Sequence, residues 1–156
     1  MPRRYWLAKT EPDVYSIDDL AKAPEGTTFW DGVRNHQARN NLRAMAPGDG
    51  LLIYHSNAKP SAIVGAAEVA EAATPDPTQF DPKSDHHDPK SKREDPTWWG
   101  VRVRLVERFP RPVTLEDAKA SKALSSMVLV KNSRLSVQPV SAAEWRAVIA
   151  MARRGP

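Results

Sequence analysis

The chain of 156 residues contains no cysteine, so it can form neither a disulfide framework nor a thiolate metal site. A reducing interior is the natural compartment for such a protein, and we expect a cytoplasmic location. No apolar run approaches the roughly 18 residues that a membrane-spanning helix needs. The first residues, MPRRYWLAKTEPD, become charged again too soon for a secretory signal. These absences predict a soluble, unexported protein without a membrane partner.

The common signatures of catalysis are missing as well. The sequence has no G-x-S-x-G, Walker A, G-x-G-x-x-G or H-E-x-x-H pattern, and a cysteine nucleophile is excluded. His55 and Ser56 are neighbours at a strand end, where consecutive side chains diverge, so they cannot pair as base and nucleophile. His86, His87 and Asp88 are adjacent on an irregular segment, which does not preorganise a metal site. We therefore expect no enzyme, no bound metal and no cofactor.

Tryptophan and positive charge are what the sequence has in excess. The formal charge of +4 and the pI near 9.5 suit a polyanionic partner without demanding one. Five tryptophans are many for a chain of this length, and such large side chains need packing or a ligand. At least one is therefore expected to face a ligand. The five are Trp6, Trp30, Trp98, Trp99 and Trp145.

Hydrophobic periodicity predicts a mixture of strands and short helices. Strand patterns occupy residues 4–9, 27–30, 51–56, 62–72, 98–109 and 134–140. Capping boxes or helical spacing mark residues 16–23, 35–45, 114–120 and 141–154. The order is neither a regular βαβ alternation nor an all-β meander. It predicts an α+β domain around a curved sheet or small barrel.

Residues 74–97 form a long segment that carries five prolines and many charges. This composition excludes a central strand or a long helix. Loops of such length are uncommon inside compact domains and are often functional. The chain length favours one domain, so we expect a single domain over residues 1–156 with a long Pro-rich loop at 74–97.

Polar and aromatic side chains gather at the predicted strand ends and turns, at residues 9–11, 30–35, 54–57 and 136–138. Planar amides and hydroxyls beside aromatic rings suit a flat heterocycle that stacks on a ring and is hydrogen-bonded at its edge. The alternative is a core tryptophan at position 30 with capping amides around it. Arg34, Arg39 and Arg43 could contact phosphates, or they could be solvated charges beside and on a helix.

Six separated motifs resemble the EVE domain family, which includes the thymocyte nuclear protein type and belongs to the PUA-like superfamily beside the YTH domains. The match follows the family order over nearly the whole chain. The resemblance implies an α+β, PUA-like mixed pseudo-barrel with flanking short helices. It also implies a non-catalytic reader of nucleic acids that carry modified bases. The motifs are YWLAKTEPDVYS, WDGVRNHQARNNLR, GDGLLIYHSN, IVGAAEV, TQFDPKS and RLSVQPV.

The resemblance further implies a base pocket with an aromatic wall, for which Trp30 in FWDGVRN matches best. Lys9, Thr10 and Glu11 match the strand end that contacts the base in YTH modules. A 5-substituted cytosine is the first candidate for the base, and the protein is expected to be a monomer. Six more candidate base-binding residues fall in the other motifs: Asn35, Tyr54, His55, Ser56, Ser136 and Gln138.

Two other functions stay open on the sequence alone. One is an enzyme that acts on a nucleotide or nucleobase, with His55 and either Glu11 or Asp31 as acid-base groups. The other is an RNA-binding PUA-like module that has no preference for a modification. The resemblance implies a nucleic-acid partner, and the sequence does not separate DNA from RNA.

Overall fold

The computed structural model describes residues 3–131 and 134–154, and this part of the chain forms six strands and five short helices. The strands are β1 (Tyr5–Thr10), β2 (Thr27–Trp30), β3 (Gly50–His55), β4 (Ala62–Pro75), β5 (Trp99–Thr114) and β6 (Val137–Val140). The helices are α1 (Ile17–Lys22), α2 (His36–Ala44), α3 (Leu115–Ala120), α4 (Val128–Lys131) and α5 (Ala142–Arg153). The predicted α+β class is confirmed.

The strands form one mixed sheet in the order β2-β5-β4-β3-β1-β6. Strands β1 and β3 are parallel, and the other neighbours are antiparallel, including the predicted pair of β3 and β4. Apolar side chains cover both faces. Trp6 and Leu51 belong to one hydrophobic cluster, whereas Leu7 and Leu52 belong to another. This two-sided burial explains why consecutive residues such as Trp6 and Leu7 in β1, or Leu51 and Leu52 in β3, are apolar.

Short local signals place four of the five helices as predicted, whereas α4 was not predicted. Capping boxes begin α1 at Ser16, α3 at Thr114 and α5 at Ser141. Helix α2 buries Ala38 and Leu42 against the sheet, as its spacing predicts. These helices pack against the sheet, and α1, α2 and α3 connect its strands.

The Pro-rich segment is more ordered than its composition suggests. Strand β4 continues to Pro75, which pairs with Trp99 at the start of β5. A short 3₁₀ turn follows at Pro77–Phe80. Gly100 lets the strands approach closely, because a Cβ atom there would lie 2.4 Å from the carbonyl oxygen of Trp30. The Pro-rich segment is therefore an ordered loop, and both of its ends lie beside β2.

Candidate functional site

A cavity of about 590 Å³ lies between the end of β1 and β2. Four parts of the chain line it: residues 9–11 with 14–15, residues 28–34, His86 from the Pro-rich segment, and Ser136 before β6. Among the candidate base-binding residues, the structure brings together Trp30, Lys9, Thr10, Glu11 and Ser136.

Trp30 is both a core residue and a wall of this cavity. Its side chain is 7% exposed and belongs to the cluster that contains Val101 and Ala38. The ring of Tyr15 meets it edge-on, with centroids 6.5 Å apart and an interplanar angle of 86°. The two interpretations of Trp30 drawn from the sequence are therefore not exclusive, since the core holds the ring rigidly while it lines the cavity.

The end of β1 supplies fixed polar groups to the same cavity. The hydroxyl of Thr10 donates to the carbonyl oxygen of Tyr15 at 2.8 Å, and the Glu11 carboxylate accepts a hydrogen bond from the Asn57 side chain. Burial lowers the pKa of the half-buried Lys9 ammonium, which lies 5.6 Å from the centre of a tyrosine ring. The orientation of these groups is set by the protein before any ligand arrives.

Three candidate residues have structural contacts outside the cavity lining. Asn35 caps α2, where its Oδ1 accepts from the backbone N–H of Ala38 at 2.8 Å. Tyr54 is buried in the second cluster, and burial raises the pKa of its phenol. His55 accepts from the Ile17 backbone N–H at 3.1 Å through Nε2, and burial lowers the pKa of its imidazole. His55 is therefore not among the residues that line the cavity with Glu11 and Asp31, although the enzyme alternative pairs it with one or the other.

Two further candidates also lie away from the lining. The backbone N–H of Ser56 donates to the Thr10 carbonyl at 3.0 Å, which ties β3 to the end of β1. Gln138 is fully buried, and its Nε2 donates to the Leu135 carbonyl at 2.8 Å. The contacts of both residues support the strands beneath the cavity.

Arg34, a candidate phosphate contact, directs its donors into the protein. Its guanidinium donates to the carbonyl of Val33, to the Asp76 carboxylate at 3.0 Å and to the Thr78 hydroxyl at 3.0 Å. Two more bonds reach the carbonyl of His86, at 3.0 and 2.7 Å. A guanidinium has five N–H donors. All five are used, so none is left for a phosphate.

The other two arginines lie on α2 and differ in exposure. Arg39 is partly buried and donates to the Asn40 side chain and to the Thr97 carbonyl. Arg43 is exposed, and its guanidinium lies 4.4 Å from the centre of the Trp99 ring. Such stacking still leaves the N–H edge of the guanidinium accessible to a phosphate.

Asp76, a fully buried carboxylate at the end of β4, was not among the site residues predicted from the sequence. It accepts four hydrogen bonds: from the Gly32 amide at 2.8 Å, from Arg34, and from the amide and hydroxyl of Thr78 at 2.8 and 2.6 Å. Desolvation by burial opposes ionisation, but these hydrogen bonds outweigh it and lower the pKa of Asp76. Asp76 and its partner Gly32 are more than 40 residues apart in the sequence, so no local motif indicates this contact.

His86 is the second residue that sequence analysis did not assign to the pocket. Gly32 has a φ of +77°, and a Cβ atom there would lie 2.8 Å from Nε2 of His86. Glycine is therefore needed at this turn both for its backbone conformation and for the approach of the imidazole. His87, its neighbour, does not line the cavity. Of the two adjacent histidines only His86 lines the cavity, and the sequence alone does not distinguish them.

Residues 3–131 and 134–154 contain no group of three or more His, Cys, Asp or Glu residues arranged to hold a metal ion. The expectation that no metal is required stays a prediction. The same residues include no helix that is long and apolar enough to cross a bilayer.

Comparisons with known proteins identify the family to which this chain belongs. The EVE domain family model matches residues 4–151. Thymocyte nuclear protein 1 of Mus musculus is 42% identical over 169 residues, which cover 97% of this chain and 75% of that protein. The crystal structure of the human THYN1 protein in complex with 5-methylcytosine-containing DNA has a TM-score of 0.94 and 39% identity, covering 98% of this chain and 99% of that chain.

A more distant structure bears on the fold alone. The YTH domain of the Zygosaccharomyces rouxii MRB1 protein, in complex with N6-methyladenosine RNA, has a TM-score of 0.57 at 13% identity. It covers 99% of this chain and 89% of that one. The predicted PUA-like fold and its relation to YTH domains are confirmed.

The expected cytoplasmic location is wrong. The relatives from Mus musculus and Homo sapiens are named thymocyte nuclear proteins, which points to the nucleus. Absence of cysteine indicated a reducing compartment, and the nucleus is reducing as well. The inference failed because composition does not distinguish the two.

The buried carboxylate gives a pH-dependent prediction for stability. The folded pKa of Asp76 lies below its ordinary value of 3.8, so its stabilisation is complete above that pH and is lost as the pH falls through the lower folded pKa. Asp76→Asn should lower the free energy of unfolding by about 3 kcal/mol at pH 7, because it leaves the Arg34 charge uncompensated. The variant should also lose part of the decline in stability below about pH 4. Urea denaturation at several pH values measures both effects.

Asp81→Asn is the matched control, since Asp81 is exposed and lies on the same segment. Its stability at pH 7 should stay within about 0.5 kcal/mol of the wild type. Equal stability of the Asp76 and Asp81 variants would contradict the role assigned to Asp76.

Proposed function

The chain belongs to the EVE domain family, and we propose that it is a nucleic-acid-binding module that takes one modified base into the cavity beside Trp30. The favoured base is a 5-substituted cytosine, because the DNA bound to the human relative contains 5-methylcytosine. The whole chain, residues 1–156, would act as one EVE domain, with the Pro-rich segment forming part of the pocket. The proposed module acts as a monomer.

The observation that carries this proposal is the rigid aromatic wall beside fixed polar groups. Trp30 offers a π-surface for a stacked base, while Lys9, Thr10, Glu11 and Ser136 lie within the same lining. The cavity volume of about 590 Å³ falls within the usual range of ligand sites. Because a paired base must leave its duplex to enter such a cavity, single-stranded or mispaired sites should bind better than paired ones.

A binding role fits the cavity better than catalysis does. His55 faces α1 instead of the cavity, and its Nε2 already accepts a hydrogen bond. The enzyme alternative drawn from the sequence therefore loses its histidine from the cavity, where Glu11 and Asp31 remain. We therefore propose that the protein is not an enzyme.

Phosphate contacts fall to Arg39 and Arg43 in this proposal. Both lie on α2, which follows directly from the turn after Trp30. The third candidate, Arg34, serves the pocket by fixing the Pro-rich segment. The nucleic-acid strand that carries the modified base would thus run past α2 at the edge of the cavity.

The first prediction separates the stacking role of Trp30 from its packing role. Trp30→Leu keeps an apolar side chain in the core but removes the ring, so affinity for a single-stranded oligonucleotide with one 5-methylcytosine should fall about 5- to 150-fold. Fluorescence anisotropy measures the affinity, and urea denaturation gives the folded fraction for its correction.

Trp6→Leu is the control, because Trp6 belongs to the same cluster but does not line the cavity. Both variants should lose a few kcal/mol of stability, as large-to-small core substitutions do. Only Trp30→Leu should lose affinity per folded molecule. Equal affinities for the two folded variants would remove Trp30 from the binding site.

A second prediction distinguishes a modification reader from an RNA-binding module without preference. One buried methyl group contributes about 0.8 kcal/mol, so 5-methylcytosine should bind about fourfold better than cytosine in the same strand. Competition titrations with matched DNA and RNA strands measure this ratio for each backbone. A ratio of one in both backbones would favour the module without preference.

The third prediction concerns salt. With two phosphate contacts, the logarithm of the binding constant should fall with the logarithm of salt concentration at a slope of about −1.4 for single strands. Arg43→Gln should bring this slope closer to zero by about 0.7, whereas Arg153→Gln, on α5, should leave it unchanged. A wild-type slope of zero would exclude backbone contacts and point to a free base or nucleoside as the ligand.

A further inference from the structure

Asp31 differs from the other carboxylates around the cavity because no other residue among 3–131 and 134–154 donates a hydrogen bond to it. Its hydrogen-bond donor within the described residues is its own backbone amide. Asp76, in contrast, has four donors, and Glu11 accepts from Asn57. Asp31 follows Trp30 directly in the sequence and lines the cavity with it. Its acceptor oxygens are thus available at the edge of any ring stacked on Trp30.

We propose that Asp31 selects bases that carry an exocyclic amino group, by accepting an N–H bond from that group. This inference rests on the proposed function and names the residue that sets its base preference. An ionised carboxylate offers acceptors only. The 4-amino group of cytosine is a donor, whereas thymine has a carbonyl oxygen at the same position. The carboxylate therefore attracts the first base and repels the second.

The groups around Asp31 shift its pKa in opposite directions. Desolvation raises the pKa of Asp31, and the nearby Asp76 carboxylate acts in the same direction. His86 and Arg34 oppose these effects. Asp31 is exposed in the free protein, so its oxygens are open to a base that enters the cavity. Arg34 is already paired with Asp76, so it does not occupy the Asp31 oxygens.

Lys9 and Arg34 both line the cavity and could pair with Asp31, but their other contacts argue against this. Lys9 lies at the end of β1, and its ammonium is 5.6 Å from the centre of the ring of Tyr54, a residue that does not line the cavity. Asp31 lies at the opposite strand, just after β2. The base edge that faces Asp31 is therefore read by a carboxylate rather than by an ion pair.

The test compares 5-methylcytosine with thymine, which share the 5-methyl group and differ at the 4-position and in the protonation of N3. Single-stranded oligonucleotides that are identical except for this central base are titrated against the wild type, Asp31→Asn and Asp13→Asn. The wild type should prefer 5-methylcytosine by about tenfold or more. Asp31→Asn should reduce the preference to about twofold or less, because an amide can present either a donor or an acceptor.

Asp13→Asn is a matched control. Asp13 is exposed and follows the end of β1 that lines the cavity, but Asp13 itself does not line the cavity. It removes the same charge, so a general gain in affinity through weaker repulsion of phosphates should occur in both variants. Only Asp31→Asn should change the ratio between the two bases. Asp31→Ala serves as a second variant, and urea denaturation verifies that each variant is folded.

The outcomes separate this inference from the function beneath it. A wild-type preference that survives in both Asp31 variants would overturn the role of Asp31 and leave the base-binding function intact. A wild type that binds the 5-methylcytosine strand without dependence on Trp30 would overturn the proposed function, and the role of Asp31 would fall with it. Loss of the preference in both Asp31 variants, with the Asp13 control unchanged, supports the inference.

Discussion

The buried carboxylate of Asp76 holds the candidate site together. It joins the turn after β2 to the end of β4 through Gly32, Arg34 and Thr78. Arg34 then carries the link on to the carbonyl of His86. A buried ion pair is stable only when nearly all its hydrogen bonds are satisfied, and here the carboxylate and the guanidinium both meet that condition. The cavity walls from separate parts of the chain are therefore held as one unit.

The Pro-rich segment has its own buried polar centre in Gln79. Its amide donates to the carbonyls of Asp76 and Trp98 at 2.7 and 2.8 Å. Its Oε1 accepts from the Ser91 hydroxyl and from the Trp98 backbone N–H. Both donors and both acceptor positions of the side chain are used, so a long irregular segment is fixed without regular secondary structure. This order is what allows His86 to serve as a cavity wall.

Local sequence patterns predicted the helices and strands, whereas contacts between distant residues determine the arrangement of the candidate site. Capping boxes such as Ser16 with Asp19 depend on neighbours three residues apart, so the sequence displays them. The partner of Arg34 lies 42 residues away, and nothing local indicates that its charge is internal. Asn35 and Asn41 were equally ambiguous, because a helix cap and a bond to the Val137 carbonyl require the same amide groups as base recognition. The polar residues of the motif WDGVRNHQARNNLR thus serve folding more than the sequence suggested.

The most direct test of the account is an NMR titration of the tryptophan indole N–H resonances with a single-stranded oligonucleotide that carries one 5-methylcytosine. Stacking on the cavity wall predicts that the Trp30 resonance shifts strongly, while Trp145, which packs on Tyr5 with ring centroids 4.6 Å apart, stays in place. Amides of residues 9–11, 31 and 136 should shift together with Trp30, since they line the same cavity. A shift of Trp145 without any change at Trp30 would contradict the central claim.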